Sequence, residues 1–135
     1  MKLILSLFIL VGAFVASWKY YFWEPSDFSK DSLAYHLKIS PQIKAFPLWE
    51  PSSEPLFKYF TGDGVKQTTV AMMYNSNLSK RDLVHRIEDL GLTCRISSQV
   101  VFCTRNHNIS IILTSSLGST DVIVDVTFIG MEVNS

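Results

Sequence analysis

Neither sign of charge dominates this sequence, in which 12 Lys and Arg residues are matched by 12 Asp and Glu residues. Without a positive excess, the electrostatic footprint of a nucleic-acid binder is excluded. Also lacking are a Gly-x-Ser-x-Gly elbow, a His-Glu-x-x-His pair and a phosphate-binding Gly-rich loop, so spacing nominates no nucleophile, zinc site or nucleotide cradle. Proline is absent beyond residue 55, since Pro25, Pro41, Pro47, Pro51 and Pro55 are all five of them. Cysteine is scarce, with two in 135 residues, too few for a thiolate-only metal centre. Apolar residues, in contrast, make up 47% of the chain, which is too many for a disordered tail, and the length suits one small domain.

Residues 3–18 (LILSLFILVGAFVASW) carry no charge and follow the amino terminus and Lys2, a positive flank typical of an export signal. As a helix this run is about 24 Å long, short of a hydrocarbon core of about 30 Å, but Lys19 can snorkel and residues 20–23 extend it. Trp18, Lys19, Tyr20, Tyr21 and Trp23 form the set expected at a membrane–water interface, where each ring has an apolar body and a polar edge. Residues 1–23 therefore read as an uncleaved single-pass anchor. The competing reading is a cleaved signal peptide, with Val11 and Ala13 or Val15 and Ser17 before the cut. Positive-inside logic sends the remainder to a periplasmic or extracellular space.

Cys94 and Cys103 suit that oxidising compartment. They flank RISSQVVF, in which two β-prone runs are separated by polar residues. With Ser98 and Gln99 as a two-residue turn, Cys94 lies opposite Cys103 on a close, non-hydrogen-bonded pair with Cα atoms about 4.5 Å apart, within disulfide range. A metal site of Cys94, Cys103 and His107 lacks a fourth ligand and the usual short spacing.

Composition changes near residue 56, where the prolines end. Residues 24–60 read as a Pro- and aromatic-rich segment with a helix over 27–38 and a short one over 54–60. Their aromatic residues predict packing against the domain at 61–135 rather than a free linker. Gly62, Asp63 and Gly64 make a turn, and 66–74 has the composition of a strand. Ser79 is a natural N-cap with Asp82 three residues on and Leu78 as a hydrophobic staple on Leu83. Leu83, Val84, Ile87 and Leu90 form the apolar stripe of that helix, and Gly91 closes it. Strands are expected at 92–97, 100–105, 109–114 and 121–129. The resulting β-α-β-β-β-β order, preceded by the hydrophobic helix, predicts a small α+β fold: a two-layer sandwich of an antiparallel sheet with one amphipathic helix on a face.

Leu92, Cys94, Ile96, Val101 and Cys103 are assigned to the helix-covered face, and Ile109, Ile111 and Leu113 join them if the hairpin after Arg105 has a three-residue loop. The second face then carries Val100, Phe102, Ile112, Ile123 and Ile129 among polar residues. Its expected cover is the aromatic first half of the chain, with a partner protein as the functional alternative. His36, His85 and His107 are scattered, and Asp82, Glu88 and Asp89 share a helix with Lys80, Arg81 and Arg86 as solvated charges. Asn77 and Asn108 begin glycosylation sequons that matter only in a eukaryotic secretory pathway. The sequence thus predicts an exported, membrane-anchored domain acting through protein contact, with no catalytic residue, metal or cofactor inferred. A secreted inhibitor or small enzyme is the alternative.

Overall fold

A computed structural model describes residues 1–63, 65–115 and 117–130 of the chain. The apolar run forms helix α1 (Lys2–Tyr21), none of whose residues is buried. Two short helices follow, α2 (Leu33–Lys38) and α3 (Pro41–Lys44), each started by a serine whose hydroxyl accepts from a backbone N–H of the first turn. Then come β1 (Leu56–Phe60), β2 (Thr69–Ser76), α4 (Lys80–Asp89), β3 (Thr93–Ser97), β4 (Val100–Arg105), β5 (Ile109–Ser115) and β6 (Val122–Ile129). The sheet is antiparallel throughout, in the order β1-β2-β6-β5-β4-β3. From β2 onward the chain has the expected β-α-β-β-β-β order. Helix α4 carries it across the sheet to the far edge, and the strands return as a meander until β6 pairs with β2.

Local signals account for most of this. Ser79 Oγ accepts from the Asp82 N–H at 3.2 Å, and Gly91 ends α4 at φ +88°, a conformation that costs glycine no Cβ clash. Leu83 and Ile87 are fully buried, whereas Leu90 is exposed and Leu92 takes its place in the core. The Ser98–Gln99 turn sets Cys94 opposite Cys103, and the two are joined in a disulfide with Cα atoms 4.0 Å apart. Arg105 pairs with Ile109, so the next loop has the three residues that bring Ile109, Ile111 and Leu113 onto the buried face. In that loop Asn106 and His107 both have positive φ, +49° and +60°. Left-handed backbone crowds a Cβ against the following carbonyl, so His107→Gly is expected to raise stability by about 0.5–1 kcal/mol, read as a higher urea midpoint at unchanged slope.

Three expectations are corrected. Residues 54–60 are not helical: β1 pairs Leu56–Phe60 with Met73–Thr69 of β2 and buries Phe57 on the core side. The helix expected over 27–38 shrinks to its last turn and a half. Ser32 caps it there, and Phe28 instead exchanges backbone hydrogen bonds with Phe57. Most consequentially, the aromatic first half does not cover the second face. It packs on the same face as α4: Phe28 stacks on Phe57, Phe46 meets Phe128 edge-on, and the Trp49 N–H donates to the Tyr74 hydroxyl at 3.1 Å. The physical reason is area. A ten-residue helix is about 15 Å long, and the six strands span about 24 Å, so α4 alone cannot shield Val70, Met72, Tyr74, Val126 and Phe128. Nor does α4 reach Ile96, which is on the helix side yet 76% exposed.

The loop after β1 is pinned by Asp63, whose carboxylate accepts from the Lys66 and Val65 N–H groups, which hold its pKa below the usual carboxylate range. Gly64, the last residue of the turn expected there, lies outside the described residues.

Candidate functional site

Strand register assembles the uncovered face row by row. The central row runs Arg95, Phe102, Ile112, Asp125, Met73 and Leu56 across all six strands. A flanking row sets Ile123 of β6 beside Asn75 of β2 and Thr114 of β5, with Val100 at the end of β4. On the other side Thr104, Ser110, Thr127, Ala71 and Lys58 follow one another, and Ile129 lies beyond them beside Thr69. Phe102 is 44% exposed and Val100 39%, while Ile112, Ile123 and Ile129 are half-buried by their neighbours. All five surface residues expected from the sequence therefore share this face. The apolar centre lies in the Phe102, Ile112 and Met73 row, and Met73 and Leu56 are members that the sequence reading had not placed there. Met73 follows from alternation along the strand read at 66–74, whereas Leu56 was hidden by the helix assignment over 54–60.

Asp125 interrupts this row. Burial raises its pKa above the ordinary 3.8, while the Lys58 ammonium pulls it back; Lys58 itself is 3.7 Å from Asp27. An unfolded chain ionises Asp125 at lower pH than the folded one does. Stability therefore falls as pH rises from the ordinary value through the raised one, and the cost persists at neutral pH. Asp125→Asn is expected to raise stability near neutrality and to flatten that part of the profile, as checked by denaturation midpoints at neutral and mildly acidic pH.

Near the β4–β5 turn the same face carries a cleft of about 500 Å³ lined by Thr93, Arg95, Phe102, Thr104 and His107. The three histidines lie on separate elements: His36 on α2, His85 exposed on α4 and His107 in the turn. Both cysteines are joined in the disulfide, and among the described residues no group of three or more His, Cys, Asp or Glu could hold a metal ion. The face has an apolar centre and a hydroxyl-rich surround.

A second feature is the junction of α1 with the domain. The Lys38 ammonium donates to the Tyr20 carbonyl at 2.7 Å and lies 4.0 Å from the Tyr20 ring centre, 4.9 Å from that of Tyr59 and 6.0 Å from that of Trp23. Its side chain is 5% exposed, and burial lowers its pKa. Tyr20 Oη donates to the Leu37 carbonyl at 3.2 Å, Thr61 Oγ1 to the Tyr21 carbonyl at 3.3 Å, and the Thr61 N–H to Glu24 at 2.9 Å. Of the interfacial residues expected from the sequence, Tyr20 and Tyr21 thus bond to the domain through their carbonyls or hydroxyl. Trp18 packs between Phe14 and Phe22, Lys19 stands in the last turn of α1, and Trp23 follows that helix. The role of Lys38 carries no signal in the sequence, since nothing in AYHLKIS distinguishes it from a solvated lysine.

No family model, curated protein or solved structure matches this chain.

Proposed function

We propose that this chain is a single-pass, membrane-anchored module that works on the extracytoplasmic side by binding another protein through its open sheet face. The observation that supports this most directly is the uncovered central row, in which Phe102, Met73 and Leu56 stay about 40% exposed while the chain's own aromatic residues pack on the opposite face. Six strands about 4.8 Å apart and about 20 Å long present roughly 500 Å², of the order of one side of a small specific interface. Its mixture of apolar centre and polar surround suits a partner that also exists free in water. The anchor reading is supported by α1, whose 20 residues are long and apolar enough to cross a bilayer, and by the hydrogen bonds that hold its end to the domain. The disulfide fits an oxidising compartment.

Photocrosslinking in intact cells tests the contact. A crosslinking residue at Met73 is expected to give one discrete adduct larger than a self-dimer, and one at exposed Glu54 none. Phe102→Asp should reduce the Met73 adduct by at least about tenfold, as for a truncated interface anchor. Equal adducts at both positions, a self-dimer, or no change with Phe102→Asp would each overturn the reading. For the anchor, the full-chain mass is expected in the membrane fraction; a chain shortened at its amino terminus and found in the soluble fraction refutes it.

A further inference from the structure

The two edges of the sheet are treated differently. At β1, residues 25–28 cover the edge, with Phe28 and Phe57 exchanging hydrogen bonds and the Tyr59 N–H donating to the Pro25 carbonyl. At β3 no segment among the described residues pairs with the outer edge. The two-residue turn makes Ser97/Val100 and Arg95/Phe102 the hydrogen-bonded pairs, so the N–H and C=O groups of Cys94 and Ile96 point outward. Such a row is a template for another strand, and proteins usually blunt or cover it.

Beside this edge runs an apolar groove of about 360 Å³ between β3 and α4, with Val84, Ile96 and Val101 among its lining. It explains the exposure of Ile96, whose side chain stands at its rim. One end is basic. Lys80 and Arg81 line it there with His85, and Lys80 Nζ donates to the Gln99 carbonyl across that end. The first turn of α4 adds its partial positive charge at the same place.

We infer that the β3 edge and this groove bind an extended acidic segment of another protein by strand addition. Its backbone pairs with Cys94 and Ile96, one apolar side chain enters between Val84, Ile96 and Val101, and its carboxylates face Lys80 and Arg81. This mode takes affinity from main-chain hydrogen bonds and specificity from pockets for alternate side chains. Charge decides against a second copy as occupant, because β3 itself (TCRIS) carries Arg95 and no carboxylate to face Lys80 and Arg81. The inference is independent of the open face, since the groove lies on the helix side of the sheet.

The test uses the full chain, isotope-labelled, in detergent micelles, titrated with a blocked hexapeptide Glu-Ser-Val-Ser-Glu-Ser, whose Glu and Val side chains share one face of an extended strand. The acidic peptide is expected to shift the Cys94 and Ile96 amides and to slow their hydrogen exchange. Affinity should fall at least about tenfold, equivalent to about 1.4 kcal/mol, in the Lys80→Glu, Arg81→Glu double variant, both sites being at the surface. N-methylating alternate peptide nitrogens should abolish binding, which a merely electrostatic association would not show. Absence of binding, indifference to N-methylation, equal binding of the same peptide with Lys in place of Glu, or concentration-dependent shifts without peptide would each overturn the inference, the last by showing self-pairing.

Discussion

Replacing Lys38 with glutamate is expected to release α1 from the domain. In the wild type the ammonium, 5% exposed, donates to the Tyr20 carbonyl at the end of α1 and lies over the rings of Tyr20 and Tyr59. Every one of these partners favours a cation: a helix C-terminus carries partial negative charge, and an aromatic face is negative. A carboxylate there meets repulsion from all of them and leaves the carbonyl without its donor. The cost expected is about 3–5 kcal/mol, as for an uncompensated buried charge. The readout is limited proteolysis of the 22–26 connection in micelles, which should be cut at least about tenfold faster, since a penalty above 1.4 kcal/mol shifts the docked population by more than that factor. Lys38→Met keeps the methylene packing and loses only the charge and the hydrogen bond, so it should fall between. Cleavage of the glutamate variant at the wild-type rate would show that Tyr20 and Thr61 hold the junction without Lys38.

Removing the disulfide by the double change Cys94→Ala, Cys103→Ala should lower stability by about 2–3 kcal/mol, the loop-closure entropy of a bridge with a sequence separation of 9. For a domain of this size that is about 10 °C in the melting temperature. The effect should be concentrated in one place. Among the described residues β3 pairs only with β4, and it has little cover from α4, so without the bridge the β3 edge has few other restraints. Hydrogen exchange is expected to quicken first at Thr93, Arg95 and Ser97, whose N–H groups bond to β4, while β6 amides remain slow. If exchange rose uniformly, the bridge would be acting on the whole domain rather than on its edge hairpin. Because the peptide groove shares this hairpin, the same variant also measures how far strand addition depends on a rigid β3.

Much of the fold was legible because its signals are local. Ser79, Gly91 and the stripe of Leu83 and Ile87 specify α4 within one stretch of chain, and Ser98 and Gln99 set a register that aligns two cysteines. The alternation of Val122, Val124, Val126 and Phe128 reports a strand buried on one side. Residues 54–60 misled because Pro55 followed by mixed apolar and charged residues suits a short helix as well as a strand. The choice was made by β2, whose free side needed a partner at Met73–Thr69.

The amino-acid sequence by itself determined the apolar helix, the capped helix α4, the hairpin disulfide and the two-layer α+β class, because each rests on periodicity or spacing between near neighbours. It also placed Val100, Phe102, Ile112, Ile123 and Ile129 on one face, since alternation along a strand is fixed once its register is known. Only the tertiary structure decided which face the aromatic first half covers, and so left Phe102, Met73 and Leu56 open. That depends on the area a ten-residue helix can shield against a six-stranded sheet, a quantity that no local pattern contains. Tertiary structure likewise buried Lys38 under the end of α1 and left Ile96 beside a groove, because both outcomes depend on whether side chains from separate elements, Lys38 and Tyr20 or Ile96 and Val84, meet or fall short of meeting.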